Sequence, residues 1–384
     1  MFLTEKKIVD YIISKKDFLF LLIMSILALV VRVSGFEVMS TDLVSFLIPW
    51  ISHYRNNGGI NALSVQVGDY NILYQTILAF VSYLPYREII LVKWISVIFD
   101  YCIAVICAII SKKWISDKSY IFVYAAILFW PTVIINSAYW GQCDSLYVFI
   151  LILSLYFLFE RKNLWAFVLL GVSFGLKLQT IFVLPVFIIL YIINKRFSIY
   201  NFIITLISFW LTGIVGFIKG RNIFDIFNIY SDQTDTYKYL TMNATGFWSL
   251  WHGNNYNDMK SFGIWLTIAI LGFILYYFLN CNTQINTPEQ FIGITLIVVW
   301  SCLVFLPAIH ERYDYLLTIL LILLICINKK YVIPLFIVAV VDIYNYGNYF
   351  IYSREQTIFL SILFLVAYVY SFFLVIKAKY TINA

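Results

Sequence analysis

Four short polar clusters interrupt an otherwise apolar sequence, and their side chains are of types that move protons or bind phosphate. The clusters are Thr41 with Asp42, 139–145 (YWGQCDS), 177–179 (KLQ) and 307–314 (PAIHERYD). A carboxylate can accept a proton in general base catalysis, and Arg, Lys and His side chains bind phosphate oxygens. The clusters therefore favour chemistry on a substrate that carries a phosphate group.

Each cluster also has a simpler structural explanation. Asp42 is suited to cap the helix that follows it, and Asp144 and Ser145 are suited to cap the next one. The long side chain of Lys177 can extend along the lipid to reach water, and residues 307–314 can form a salt-bridged turn. Capping leaves the Trp, Gly and Gln of the second cluster unexplained.

The sequence argues against a metal site. No second His follows His310 and Glu311 at the spacing of an HExxH zinc motif, and His53 and His252 are the other histidines of the chain. The six cysteines are scattered without a CxxC pair, so a disulfide framework is not indicated either. We expect no required cofactor, with a divalent metal optional.

Composition places the chain in a membrane. Of its 384 residues, 62% are hydrophobic and 12% are charged, whereas a soluble domain carries roughly 25% charged residues. The soluble, disordered and fibrous classes are excluded. We predict an all-α polytopic membrane protein whose main partner is the lipid bilayer, and no nucleic-acid partner.

About a dozen apolar runs approach the length that a helix needs to cross the hydrocarbon. Basic residues cluster in alternate loops, and the positive-inside rule puts those loops and both termini in the cytoplasm. The clusters are Lys6, Lys7, Lys15 and Lys16; Lys112, Lys113 and Lys118; Arg161 and Lys162; Lys195 and Arg196; Lys329 and Lys330; and Lys377 and Lys379. This arrangement requires that 71–85 does not cross the membrane. We therefore predict one long external loop, 42–88, with one or two helices lying on the membrane surface.

Most acidic residues then fall on the external face. They are Glu37, Asp42, Asp69, Asp144, Asp225, Asp232, Asp235, Asp258, Glu311, Asp314 and Glu355. A second long external loop spans 219–262. We expect a single membrane domain, 1–384, made of a module 1–218, this loop and the C-terminal helices 263–384, with its chemistry at the outer face.

Four segments resemble the GT-C superfamily of glycosyltransferases, which use polyprenyl-phosphate sugars as donors. The segments are NSAYWGQCDSLY (136–147), FGLKLQTIFVLP (174–185), YLTMNATGFWSLW (239–251) and LPAIHERYDY (306–315). Within that superfamily the chain is most similar to bacterial relatives of the second mannosyltransferase of GPI-anchor synthesis. The resemblance implies a GT-C fold with about 12 transmembrane helices, and a first external loop that carries a catalytic carboxylate and juxtamembrane helices.

Transferred residue by residue, the resemblance implies three groups of site residues. The catalytic base is Asp42. The donor phosphate is bound by Lys177, Gln179, His310 and Arg312. The sugar or the acceptor is bound by Trp140, Gln142, Asp144, Glu311, Tyr313, Asn243 and Trp248. Many members carry paired acids after the first span, but Asp42 stands between Thr41 and Leu43, so a metal clamp is not expected there.

The implied reaction is an inverting transfer of a hexose from polyprenyl phosphate to a glycan or glycolipid of the cell envelope. A composition rich in Lys, Ile and Asn indicates a low-GC bacterium, so undecaprenyl phosphate in the plasma membrane is the expected carrier. Mannose, glucose and galactose all remain open. Two other classes also remain open: a polysaccharide polymerase or O-antigen-type ligase, and a transporter of lipid-linked sugars, which often shows internal repeats.

Overall fold

The structure, a computed structural model, describes residues 3–236, 238–251, 255–281, 284–351 and 357–378. Of the residues named above, His252, Glu355 and Lys379 lie outside these ranges.

The described chain is mostly helical, with very little strand. Its α-helices are α1 (Leu3–Ser14), α2 (Lys16–Ser34), α3 (Ile48–Asn56), α4 (Ile72–Val81), α5 (Glu88–Trp114), α6 (Ser119–Leu128), α7 (Pro131–Ile134), α8 (Asp144–Phe159), α9 (Asn163–Leu176), α10 (Leu184–Asn194), α11 (Asn201–Leu211), α12 (Ile214–Ile218), α13 (Asp225–Thr236), α14 (Tyr256–Asn280), α15 (Pro288–Phe305), α16 (Tyr315–Ile327), α17 (Val332–Phe350) and α18 (Ile358–Lys377). Shorter helical turns are π-helical at Leu43–Leu47 and Ile135–Trp140, and three-ten at Gly59–Ser64, Leu178–Val183, Trp248–Leu250 and Lys329–Tyr331. Two short strands, β1 (Thr241–Met242) and β2 (Ile309–His310), pair in parallel.

Six of the described helical segments are long and apolar enough to cross a membrane. They are α2, α5, α14, α15, Lys329–Phe350 and α18. A seventh is obtained if Ser119–Leu128 and Pro131–Trp140, bent by 49°, count as one span. The bend follows from Pro131, because the residue before a proline disfavours the helical conformation. The chain is thus an all-α multi-pass membrane protein, while the count of twelve spans stays a prediction.

The first loop contains only short helices among its described residues. The ten-residue α4 is about 15 Å long, roughly half the thickness of the hydrocarbon core. By itself α4 is too short to span the membrane, which agrees with the expectation that 71–85 does not cross. It packs against α3 and α9.

One continuous apolar core extends from Ala28 in α2 to Val375 in α18. It joins helices of 1–218 to helices of 263–384. Helices α9 and α11 approach closely at Gly171, where a Cβ atom would lie 2.4 Å from the carbonyl oxygen of Thr205. Small residues at such crossings are typical of membrane helices.

Candidate functional site

A cavity of about 400 Å³ lies where three of the polar clusters meet the first long loop, 42–88. Its polar lining consists of Asp69, Tyr70, Gln142, Lys177, Gln179, Gln233, Thr234, Tyr256, Lys260, His310, Arg312 and Tyr313. Its apolar lining includes Phe46, Leu47, Trp50, Leu178, Ile181, Phe182, Ile264 and Leu306. The cavity therefore presents charged groups and a hydrocarbon-like surface to the same ligand.

Two cations of the cavity share one buried carboxylate. Lys177 Nζ contacts Asp144 Oδ1, and Arg312 Nε lies 3.5 Å from Asp144 Oδ2. Asp144 is fully buried and accepts a hydrogen bond of 2.9 Å from Asn136 Nδ2. A buried carboxylate is costly unless it is paired, so the cations stabilise Asp144 while it holds their head groups in place. Asp144 thus positions the cations instead of capping α8.

Lys177 is placed by a break between two helical segments. Its backbone is extended (φ −155°, ψ 136°), between the end of α9 and the three-ten turn at 178–183. Its ammonium lies 5.6–5.9 Å from the ring centroids of Tyr70, Tyr147 and Tyr313, which is cation–π distance. Because Lys177 is only 4% exposed, the explanation that it extends to water is wrong.

Asp42 is connected to the cavity lining by its hydrogen bond with Gln142. Its Oδ2 accepts hydrogen bonds from Trp140 Nε1 at 3.0 Å and from Gln142 Nε2. Gln142 lines the cavity, and its Oε1 accepts a hydrogen bond of 3.3 Å from Tyr70 OH. Within the described residues Asp42 makes no side-chain cap to the helix that follows it, so the capping explanation is wrong for this residue.

The turn that carries Trp140 and Gln142 requires a glycine. Gly141 has φ +81°, and a Cβ atom there would lie 2.7 Å from Leu43 Cδ2. Only glycine adopts this backbone conformation freely and allows so close an approach. The indole of Trp140 stacks on Tyr349 with ring centroids 3.7 Å apart. This tight packing lets both side chains of the turn reach Asp42.

The segment around His310 is held by the second long loop, 219–262, through the pairing of β1 with β2. His310 Nδ1 lies 3.8 Å from Glu311 Oε2, and Arg312 Nη1 lies 4.0 Å from Glu311 Oε1. Burial lowers the pKa of His310, although Glu311 opposes the shift, so the neutral imidazole predominates at pH 7. His310 can therefore hydrogen-bond a phosphate oxygen, while the positive charge comes from Lys177 and Arg312.

Several predicted ligands of the sugar or acceptor lie off the described lining. Asn243 has a left-handed backbone (φ 60°) and forms a backbone bridge with His310. Trp248 is buried, and its Nε1 donates to the carbonyl oxygen of Phe305 at 2.8 Å. Trp140, Asp144 and Glu311 also lie behind the lining residues. Gln142 and Tyr313 are the members of this predicted group that line the cavity.

Asp69 and Tyr70 are site residues that no sequence motif singled out. Asp69 is the one carboxylate among the described residues of the lining. Burial raises the pKa of Asp69, whereas a hydrogen bond from its own backbone N–H and the positive charges of Arg312 and Lys177 act to lower it. In the sequence, Asp69 was only one of several acidic residues predicted to lie on the external face.

Three buried polar atoms of the site make no hydrogen bond within the described chain: Gln179 Oε1, Gln233 Oε1 and Arg312 Nε. Arg312 Nε has an ion-pair partner in Asp144, at 3.5 Å. Buried polar atoms without a hydrogen bond are unusual in folded proteins, and a ligand hydroxyl in the cavity would donate to the two amide oxygens. Over the same described ranges, no group of three or more His, Cys, Asp or Glu side chains is arranged to hold a metal ion.

Comparison with known proteins adds no assignment: no protein-family model matches the chain, and no curated protein is significantly similar to it.

Proposed function

We propose that this chain is a membrane glycosyltransferase that moves a hexose from polyprenyl phosphate to a glycan or glycolipid acceptor at the outer face of a bacterial plasma membrane. The observation that carries the proposal is the cavity in which buried cations, a carboxylate and apolar side chains meet among membrane helices. A polyprenyl-phosphate hexose has matching parts: an anionic phosphate, sugar hydroxyls and a hydrocarbon chain.

The phosphate end of the donor binds at Lys177 and Arg312. Negative charge grows on the phosphate as it leaves the sugar, and fixed cations stabilise that charge in the transition state. Asp144 holds both cations before the substrate arrives, so little reorganisation is needed. Gln179 and His310 supply further hydrogen bonds.

The prenyl chain lies along the apolar part of the lining. Phe46, Ile181 and Ile264 belong to this lining and are 42%, 44% and 37% exposed. The apolar surface therefore continues from the cavity to the outside of the helices, where a prenyl chain can enter the bilayer.

The reaction is a single displacement. The acceptor hydroxyl attacks the anomeric carbon, the bond from that carbon to the phosphate oxygen breaks, and the configuration inverts. A carboxylate takes the hydroxyl proton, a role that the sequence resemblance gives to Asp42. Both termini are cytoplasmic in this proposal.

The test follows donor consumption by mass spectrometry. Purified protein is incubated with short-chain polyprenyl-phosphate mannose, glucose or galactose and with candidate acceptor lipids. We expect one donor to be consumed and its hexose to appear on an acceptor. Arg312→Ala should lower kcat/KM by about 10- to 100-fold, because a hydrogen bond to a charged group contributes roughly 1.5–3 kcal/mol.

Arg87→Ala is the matched control, because Arg87 pairs with Glu37 at an exposed position of the first loop. Its kcat/KM should stay near the wild-type value. Consumption of lipid-linked oligosaccharides but of no monosaccharide donor would identify a polymerase or ligase instead. Movement of lipid-linked sugar across vesicles without transfer would identify a transporter.

A further inference from the structure

We infer that Asp69 is a catalytic residue of this site and accepts the proton of the acceptor hydroxyl. The inference rests on the proposed glycosyl transfer and moves the base from Asp42 to Asp69.

The two carboxylates differ in their position relative to the cavity. A general base must come within hydrogen-bond reach of the proton that it removes. Asp69 lines the cavity, whereas Asp42 is not among the described lining residues. The Oδ2 atom of Asp42 already accepts from Trp140 and Gln142. Asp42 therefore acts through Gln142 as a positioning residue.

A buried polar network fixes the loop that carries Asp69. Gln75 is 1% exposed, and its Oε1 accepts hydrogen bonds from Tyr54 OH at 2.9 Å and Arg221 Nη2 at 3.0 Å. The same oxygen accepts from the backbone N–H of Val67 at 3.3 Å, and Gln75 Nε2 donates to the Tyr70 carbonyl at 2.6 Å. Buried polar groups are costly unless they are paired, so these hydrogen bonds fix the position of the loop.

The residues on either side of Asp69 are individually constrained. Gly68 has φ +73°, and a Cβ atom there would lie 2.1 Å from Trp50 Cε2. Gln66 Nε2 donates to the carbonyl oxygens of Gly68 at 2.6 Å and Tyr70 at 3.2 Å. The backbone before and after Asp69 is thus held, which keeps its carboxylate at the cavity wall.

The surroundings of Asp69 strengthen it as a proton acceptor. Burial raises its pKa, which strengthens it as a proton acceptor, while Arg312 and Lys177 favour its ionised form and Asp42 opposes it. His310 and Lys260 line the same cavity. A carboxylate whose pKa is raised by burial commonly takes part in acid–base catalysis in enzymes.

The transfer involves the donor, the acceptor hydroxyl and the carboxylate of Asp69. The acceptor O–H bond breaks as the bond from its oxygen to the anomeric carbon forms. The proton passes to Asp69, and the electron pair of the broken carbon–oxygen bond leaves with the lipid phosphate. Asp69 then returns its proton to water.

The experiment compares Asp69→Asn, Asp69→Glu and Asp42→Asn in transfer rate and in equilibrium binding of the polyprenyl-phosphate hexose. We expect Asp69→Asn to lose about 10²- to 10⁴-fold in kcat, as removal of a general base does, with donor binding close to that of wild type. Asp69→Glu should recover part of the rate. The fall in kcat/KM as the pH drops should disappear in Asp69→Asn and persist in Asp42→Asn.

Three results would overturn the inference while the proposed function stands. One is an Asp69→Asn variant that keeps its rate within about tenfold of wild type. Another is a loss of donor binding as large as the loss of rate, since the residue would then act only in binding. The last is a pH dependence that disappears in Asp42→Asn but not in Asp69→Asn. A wild-type protein that transfers from no lipid-phosphate hexose would instead reject the proposed function itself.

Discussion

Asp144 is the residue on which the charges of the cavity depend. It is fully buried and lies between the side chains of Lys177 and Arg312, which line the cavity. Neither capping nor a sugar contact accounts for its hydrogen bond to Asn136 and its two cationic partners. We interpret it as the counter-charge that allows two cations to be kept in a largely apolar surrounding.

Asp144→Asn should destabilise the protein strongly, because it leaves buried cations without their carboxylate. Breaking a buried ion pair in this way typically costs about 3–5 kcal/mol. Thermal unfolding in detergent measures the effect, and Asp144→Asn combined with Lys177→Met should unfold at a higher temperature than Asp144→Asn alone. Glu37→Gln, which removes an exposed carboxylate, serves as the control and should unfold like wild type. Equal melting temperatures for Asp144→Asn and Glu37→Gln would refute the counter-charge role.

At the level of secondary structure, irregular helical turns place the site residues. A π-helical turn follows Asp42, another precedes Gly141, and a three-ten turn follows Lys177. π-helical turns are rare and occur often at functional sites. The regular helices supply the scaffold, and these interruptions direct polar side chains toward the cavity.

Gly68→Ala tests whether the loop that carries Asp69 tolerates a side chain at the residue before it. The left-handed conformation costs a non-glycine residue roughly 1–2 kcal/mol, and the added methyl group would also collide with Trp50. We expect lower thermal stability and a large loss of transfer rate.

Two other glycines separate the cost of the left-handed backbone from the cost of the collision with Trp50. Gly220 also has a positive φ (+101°), but no described heavy atom lies within 4 Å of an added Cβ. Gly272 has neither a positive φ nor a described heavy atom within 4 Å of an added Cβ. Gly220→Ala should lose stability but keep most of its transfer rate, and Gly272→Ala should change little. If Gly68→Ala transfers as well as Gly220→Ala, the packing of the loop on Trp50 does not position the site.

Substitutions of Asn243 distinguish a role in positioning the site from direct contact with the sugar. Its left-handed backbone next to β2 suits Asn or Gly. Asn243→Gly should therefore retain most of the transfer rate, whereas Asn243→Val should lose stability and rate together. An Asn243→Gly variant as inactive as Asn243→Val would instead support the direct sugar contact that the resemblance implies. Steady-state kinetics and thermal unfolding of both variants decide between these roles.

At the scale of the whole molecule, the proposal requires the cavity and both long loops to lie outside the cell. Single cysteines at the exposed positions Asn57 and Asp232 should react with a membrane-impermeant thiol reagent on intact cells. Cysteines at the exposed positions Lys162 and Lys330 should react only after the membrane is opened. The opposite labelling pattern would place the cavity on the cytoplasmic side and exclude the predicted orientation.

Local sequence was sufficient for the membrane class and for most of the polar clusters at the cavity. Lys177, His310 and Arg312 stand out because charged residues are rare in such an apolar chain. Asp69 could not be found in this way, because its place depends on hydrogen bonds between Gln75 and the distant Arg221. The number of spans was equally hard to predict, since hydropathy does not separate a full span from the shorter apolar helices seen here.

The most direct test is an experimental structure of the protein with a bound polyprenyl-phosphate hexose. We predict that phosphate oxygens lie within hydrogen-bond distance of Lys177 and Arg312, with the prenyl chain against Phe46, Ile181 and Ile264. The sugar should lie between that phosphate and the carboxylate of Asp69. A donor bound elsewhere, with Lys177 and Arg312 making no contact to its phosphate, would show that this cavity is not a lipid-phosphate site.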